Sequence, residues 1–348
     1  MNTKEKILKY LSDKESVSGT DLSEFLGISR QAINKHLKKL IQAGKIVKTG
    51  VTKGAVYSIA SPEHRVAPKK QWKKKYSLSG LEEDKVFNEA AIFLNLKKRL
   101  NKNTFSIFQY AFTEMVNNAI DHSKSRKCSI EVVIDQYEIT FKVRDFGIGI
   151  FYSIFNKYNL VDEYAAIGEL IKGKTTTMRE KHTGEGIFFT SKLADVVFFR
   201  SHKTNLIFNN LIEDVLVEEK RFLNGSEVTF RVGRKSKKKL ADVFSQYAPE
   251  EYNYEFNKTR VVVKLFKRDF ISRSEAKRLL AGLEKFKEIV LDFKGVKSIG
   301  QGFADEIFRV FKNEYPHITI ETENLSPSLK SIIDHVIDNN NIAGLTIS

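Results

Sequence analysis

Cysteine is almost missing from these 348 residues, with Cys128 the sole example. One thiol excludes a disulfide within the chain and suits a reducing compartment. It reads as a small core residue beside a strand. Proline is also scarce, five in all, and two of them, Pro62 and Pro68, fall in one short stretch. No apolar run reaches 18 residues and no signal-peptide core follows MNTKEKILKY, so a soluble cytoplasmic protein with no membrane partner is expected. No internal repeat is evident. Acid is the last deficit: 43 Asp and Glu face 58 Lys and Arg, a balance of +15. Residues 1–75 hold 17 of the cations against 6 carboxylates, which puts most of the excess at the N-terminus. Clustered cations release counterions from phosphates, so the first segment calls for a polyanion. Anionic lipid is the competing partner, but no long amphipathic basic helix supports it. The length suggests two or three domains, and an apolar share of 41% supports globular cores.

Residues 1–60 read as three helices and a hairpin. Ile7, Leu8 and Leu11 give the first helix its apolar stripe, and Gly27 ends the short second one, SGTDLSEFLG. Ser29 caps RQAINKHLKKLIQAG, where Ile33, Leu37, Leu40 and Ile41 face inward and Arg30, Gln31, Asn34, Lys35 and Lys38 face out, until Gly44 stops the helix. KIVKTGVTKGAVYSI then makes two short β-prone runs around a basic tip at Lys53. The arrangement resembles the winged helix-turn-helix of bacterial transcription regulators. That resemblance implies that the third helix reads a major groove of double-stranded DNA while the wing touches the backbone. Such domains also dock proteins, and the excess of 17 cations over 6 carboxylates decides for DNA. Residues 61–75, SPEHRVAPKKQWKKK, are a basic linker by composition.

Residues 76–233 mix helices with strands that alternate apolar and polar positions. FTEMVNNAIDHS places Glu114, Asn117, Asn118, Asp121 and His122 on one helical face, opposite Phe108, Ala111, Phe112, Met115 and Ala119. CSIEVVI and YEITFKVRD form a hairpin, the second strand running into DFGIGI. Helical FYSIFNKYNL and VDEYAAIGELIKG follow, then polar KTTTMREKHTGEGIFF, then β-prone VVFFRS, NLIFNN and SEVTFRV. Gly147 and Gly149 allow a tight turn and close approach of a ligand to the backbone, and Gly184 and Gly186 stand at an expected helix start, where amides hold phosphate.

The order of polar helix, DxGxG and GxG resembles the ATP-binding domain of type II DNA topoisomerases, mismatch-repair MutL proteins, heat-shock chaperones of the same fold, and histidine and anti-sigma-factor kinases. EMVNNAID is similar to the N box of this GHKL group, DFGIGI to its first glycine box and HTGEGIFF to its second. The resemblance implies ATP and Mg²⁺ as cofactors. Asn118 would coordinate the Mg²⁺ that bridges the phosphates. Glu114, one turn earlier, would orient and deprotonate the attacking water. Asp145 would accept from the adenine amino group, Gly147 and Gly149 would leave room for the nucleotide, and Gly184, Glu185 and Gly186 would hold phosphates through their amides. Asn117 and Asp121 would support the shell around these groups. Lys174 and Lys181 could reach phosphate from a lid. Two departures stand out: Phe146 replaces the Asn usual in topoisomerases, and Glu185 puts a carboxylate in the phosphate loop. No histidine lies in a phosphoacceptor context, which argues against a histidine autokinase.

A second basic stretch, 234–258, reads as a connector opened by GRKSKKK, and residues 259–348 alternate strand and helix as a small α/β sandwich does. IVLDFKGVKSIGQGFADEIFRVF resembles the strand-turn-helix of STAS-like domains. Ile299, Gly300, Gln301 and Gly302 occupy the turn where those domains carry a phosphorylatable serine, and Ser298 is the nearest hydroxyl. The expected fold is therefore multidomain α+β: a winged helix, a central GHKL-type α/β sandwich and a small STAS-like α/β domain. The expected function is an ATP-responsive, weakly hydrolysing transcription regulator. An anti-sigma-factor-like serine/threonine kinase acting on a STAS partner, and a DNA-repair or defence ATPase, are the alternatives. A protein partner for the STAS-like domain and a second copy of the chain stay open.

Overall fold

The computed structural model describes residues 2–14, 16–49, 55–60, 69–160, 162–173, 185–249, 255–265, 269–338 and 345–347. The chain divides into two compact units, residues 1–72 with 133–139 and residues 73–132 with 140–348.

In the first unit, α1 (Thr3–Ser12), β1 (Val17–Ser18), α2 (Gly19–Leu26), α3 (Arg30–Gln42), β2 (Ile46–Thr49) and β3 (Val56–Ile59) follow one another. Local chemistry marks each boundary. Asn2 and Ser18 make capping boxes with Glu5 and Asp21, and Gly27 ends α2 in the left-handed conformation, φ 64°. The Ser29 side chain accepts from the Ala32 amide, and Gly44, φ 65°, closes α3 as its amide donates to the Ile41 carbonyl at 2.9 Å. Ile7, Leu11, Leu22, Ile33, Leu37 and Leu40 are buried together with Ile46 and Tyr57. The three strands pair antiparallel in the order β1-β3-β2.

A five-stranded sheet follows, ordered β4 (Lys70–Ser77), β5 (Lys127–Ile134), β6 (Glu138–Asp145), β8 (Asp214–Gly233), β7 (Val196–Asn209). Its helices are α4 (Glu83–Leu94), α5 (Leu96–Arg99), α6 (Lys102–His122), α7 (Ile150–Tyr158), α8 (Glu163–Lys172) and α9 (Gly186–Leu193). The apolar stripe of α6 meets the sheet through aromatics. Phe108 stands edge-on to Phe141 at 5.4 Å, and Phe141 stacks on Phe230 at 5.0 Å.

Three local readings change here. Strand β4 begins inside the stretch that composition marks as a linker. It is an edge strand with Trp72 buried and its lysines exposed, and a lysine-studded edge resists pairing with another chain. The three β-prone runs after residue 195 become two long antiparallel strands, because the register shifts around His202, φ 49°, let β7 continue through both of the first two runs. Within the basic connector, α10 (Leu240–Tyr247) folds against α9: Phe244 stacks on Phe189 at 4.2 Å and Tyr247 meets Phe188 edge-on at 4.9 Å. Apolar spacing inside a Lys-rich stretch outweighs its average charge.

The C-terminal part of the same unit is a parallel sheet ordered β14 (Leu345–Ile347), β13 (Thr319–Glu323), β11 (Glu288–Asp292), β9 (Lys258–Val262). Helices α11 (Arg273–Leu280) and α14 (Pro327–Asp338) accompany it, with α12 (Gln301–Asp305) running through a π-helical stretch, Glu306–Phe311, into α13 (Lys312–Glu314). A small parallel pair joins β10 (Asp269–Phe270) to β12 (Ser298–Ile299). Side chains knit this sheet to the central one. The buried Lys172 ammonium pairs with Glu169 at 2.6 Å and donates to the Ala281 carbonyl at 2.6 Å, while Thr259 Oγ1 donates to the Lys172 carbonyl at 2.6 Å.

Candidate nucleotide and nucleic-acid sites

On α3 the side chains of Arg30, Gln31, Asn34, Lys35 and Lys38 are all exposed, on the face opposite Ile33, Leu37 and Leu40. The helix therefore presents one guanidinium, two amides and two ammonium groups together, a set able to reach both base edges and phosphates. Lys53 lies outside the described residues.

In the central domain the polar stripe of α6, Glu114, Asn117, Asn118, Asp121 and His122, is partly buried, where a solvent face would be open. Gly186 opens α9 directly against it: a Cβ there would stand 2.9 Å from Glu114 Cδ, under the 3.0 Å that real Cβ atoms respect. Glycine at that position thus lets the helix N-terminus meet the carboxylate. The half-buried Tyr110 phenol, one turn back on α6, is pushed up by burial and by the charges of Glu114 and Glu185. That places Glu185 in the same electrostatic neighbourhood.

The DxGxG turn is held to the end of α6. The Ile148 amide donates to the Ser123 carbonyl at 2.9 Å, and the Phe146 amide to Ser125 Oγ at 3.2 Å. A Cβ on Gly147 would lie 2.6 Å from the Ser123 carbonyl carbon. Asp145 is buried at the end of β6, and its Oδ1 accepts from the amides of Gly147 at 2.9 Å and Ser226 at 3.2 Å. Burial nevertheless raises its carboxyl above the ordinary range, these hydrogen bonds opposing the shift. Gly225, φ 80°, fits against the Asp145 side chain, where a Cβ would meet Oδ1 at 2.7 Å. Gly149, φ 86°, faces Ser201 Oγ and His202 Nε2, which a Cβ would meet at 2.5 and 2.9 Å. Among the described residues the buried Ser201 Oγ has no hydrogen-bond partner, which leaves an unused polar group beside the loop. The Phe146 ring, in turn, lies under the Arg144 guanidinium at 5.0 Å and Lys127 Nζ at 5.6 Å.

Asn118 Nδ2 touches Met115 Sδ at 3.9 Å, and its Oδ1 accepts no hydrogen bond among the described residues. An amide oxygen left open in this way suits a hard cation that keeps several waters and phosphate oxygens. Among the described residues no group of three or more His, Cys, Asp or Glu could hold a metal by itself. Lys174, Lys181 and Gly184 lie outside the described residues. Ser201, His202, Gly225 and Ser226 were not legible as site residues. Each reaches the loop only through the pairing of β7, β8 and β6, and no local spacing signals it.

In the C-terminal domain the strand-turn-helix is present. The Gly300 amide donates to the Phe270 carbonyl, α12 starts at Gln301, and Ser298 is exposed on β12.

Among the described residues no helix is long and apolar enough to cross a membrane. A family of winged helix-turn-helix DNA-binding domains matches residues 2–47, and a family described as a STAS-like domain of unknown function matches residues 275–330. No curated protein matches the chain. The chain therefore carries an N-terminal winged helix-turn-helix and a C-terminal STAS-like domain, with a mixed helix-and-sheet segment between them.

Proposed function

We propose that the protein is a DNA-binding regulator whose central domain is a GHKL-type ATP site that controls the winged helix. The observation that carries this reading is the meeting of three separate sequence elements. The first glycine turn abuts the end of α6 at Ser123, and the second abuts Glu114 on the same helix. A buried Asp145 beside that turn supplies the acceptor an adenine amino group needs.

Asn118 would hold Mg²⁺, which supplies charge neutralisation between phosphates when bound. Glu114 would take the proton of the attacking water, and the α9 amides after Glu185 would face phosphate. Coupling toward the STAS-like domain is supported by Lys172 at the end of α8, which is tied to the last carbonyls of α11. Calorimetric titration with a non-hydrolysable ATP analogue tests the site. A gel-shift series with and without ATP at fixed salt tests the control, and DNA affinity indifferent to nucleotide would remove it. For the kinase alternative, labelled γ-phosphate would appear on a second polypeptide; release of free phosphate alone favours the switch.

A further inference from the structure

A cavity of about 360 Å³ lies where the central and STAS-like folds meet, apart from the glycine turns. Its floor is the carboxyl end of β9 and β11, marked by Arg260, Val262 and Asp292, and its roof is the β7–β8 turn with Asn210 and Asp214. Ligands of open parallel sheets sit at the carboxyl ends of the strands, and small-molecule pockets begin at roughly 300 Å³. Five cationic side chains line it against three carboxylates, Glu213, Asp214 and Asp292.

Four of those cations are already satisfied. Arg260 pairs with Asp292 at 3.1 Å and Glu323 at 2.7 Å, and Lys264 pairs with Asp214. Lys238 pairs with Asp195 at 3.5 Å, and Lys294 donates to the Glu213 carbonyl at 3.0 Å. Lys192, near the end of α9, is different. Its ammonium lies over the rings of Phe188 at 5.0 Å and Tyr247 at 5.6 Å, and it makes no ion pair or hydrogen bond among the described residues. Loss of hydration, reinforced by the nearby Arg260 charge and opposed by Asp292 and Glu323, holds it down at about 8. Phe208, Val215 and Val243 complete an apolar wall beside it.

We propose that this cavity binds a small organic anion, a carboxylate or phosphate ester with an apolar body, whose charged head pairs with Lys192. Charge complementarity selects the head, since Lys192 is the lining cation that makes neither an ion pair nor a hydrogen bond among the described residues. The apolar wall selects the body.

The test uses the full chain at fixed ionic strength, titrated calorimetrically with phenyl phosphate and benzoate, with benzyl alcohol as the uncharged comparison. The expected result is saturable binding of at least one anion and none of the alcohol. It should weaken at least about tenfold in Lys192→Met, the worth of one charge-assisted hydrogen bond, and persist in Lys192→Arg. A second readout needs no variant: amine acylation at pH 8, mapped by peptide mass spectrometry, should mark Lys192, and the bound anion should protect it selectively. Binding that is unchanged in Lys192→Met, which would place the anion elsewhere, overturns the proposal. So do failure to protect Lys192 and the absence of any binding tighter than about 1 mM.

Discussion

Adding one methyl group at Gly147 and, separately, at Gly186 asks whether the two glycine turns hold the site as their contacts imply. Gly147 has an ordinary φ, so Gly147→Ala introduces no backbone strain of its own. Its Cβ would lie 2.6 Å from the Ser123 carbonyl carbon and 3.1 Å from the Ser125 amide nitrogen, against 3.4 Å or more for an ordinary contact. Both neighbours are backbone and cannot swing aside. The loop has to lift, straining the Ile148-to-Ser123 and Phe146-to-Ser125 hydrogen bonds. Overpacking of this kind costs about 1–3 kcal/mol, and one lost hydrogen bond adds about 1 kcal/mol. For a unit of this size that lowers Tm by roughly 5–12 °C.

At Gly186 the obstacle is the Glu114 carboxylate, at 2.9 Å to Cδ, and that side chain can rotate. Gly186→Ala should therefore cost only about 1 kcal/mol, the price of an off-rotamer side chain. Scanning calorimetry measures the stability of both variants, titration with the ATP analogue their nucleotide binding, and release of phosphate from ATP their turnover. Gly147→Ala should lose both stability and nucleotide binding, whereas Gly186→Ala should stay folded and lose turnover by moving the base. If Gly147→Ala binds the analogue like the parent and melts within about 2 °C of it, the turn does not shape the site and the reasoning fails.

Three further outcomes follow from other parts of the molecule. Lys35→Ala and Lys38→Ala should each weaken DNA binding on every sequence and reduce the salt slope by about 1, measured by fluorescence anisotropy across a salt series, whereas Asn34→Ala should change preference among sequences. Asp145→Asn should abolish analogue binding yet raise Tm by a few degrees at pH 7. The wild-type carboxyl is raised by burial, so its charge is a cost above the raised value; that cost disappears below the unfolded 3.8, where the two proteins should melt alike. A lower Tm for Asp145→Asn at pH 7 would contradict this. Lys172→Met should lower Tm by roughly 2–6 °C, because the Ala281 carbonyl, and the longer contact to Arg278, lose their donor. An unchanged melting profile would show that this cross-domain tie carries no stability.

Much of the winged helix was legible in the chain itself. Its signals are local: the i, i+4, i+7 spacing of Ile33, Leu37 and Leu40, a cap at Ser29, stops at Gly27 and Gly44. The polar stripe of α6 and the strand–helix alternation after residue 258 were readable for the same reason, since period and capping act within a few residues. Average composition misled at β4 and α10, where a few apolar side chains, Trp72 or Phe244 and Tyr247, outweigh the surrounding lysines. Tertiary structure alone decided the rest. Ser226 reaches Asp145 across 81 positions because β8 lies beside β6, and Lys192 meets Tyr247 because α10 folds back on α9. Strand partners and cavity walls are chosen by the burial of whole faces, a collective quantity that no short stretch of sequence contains.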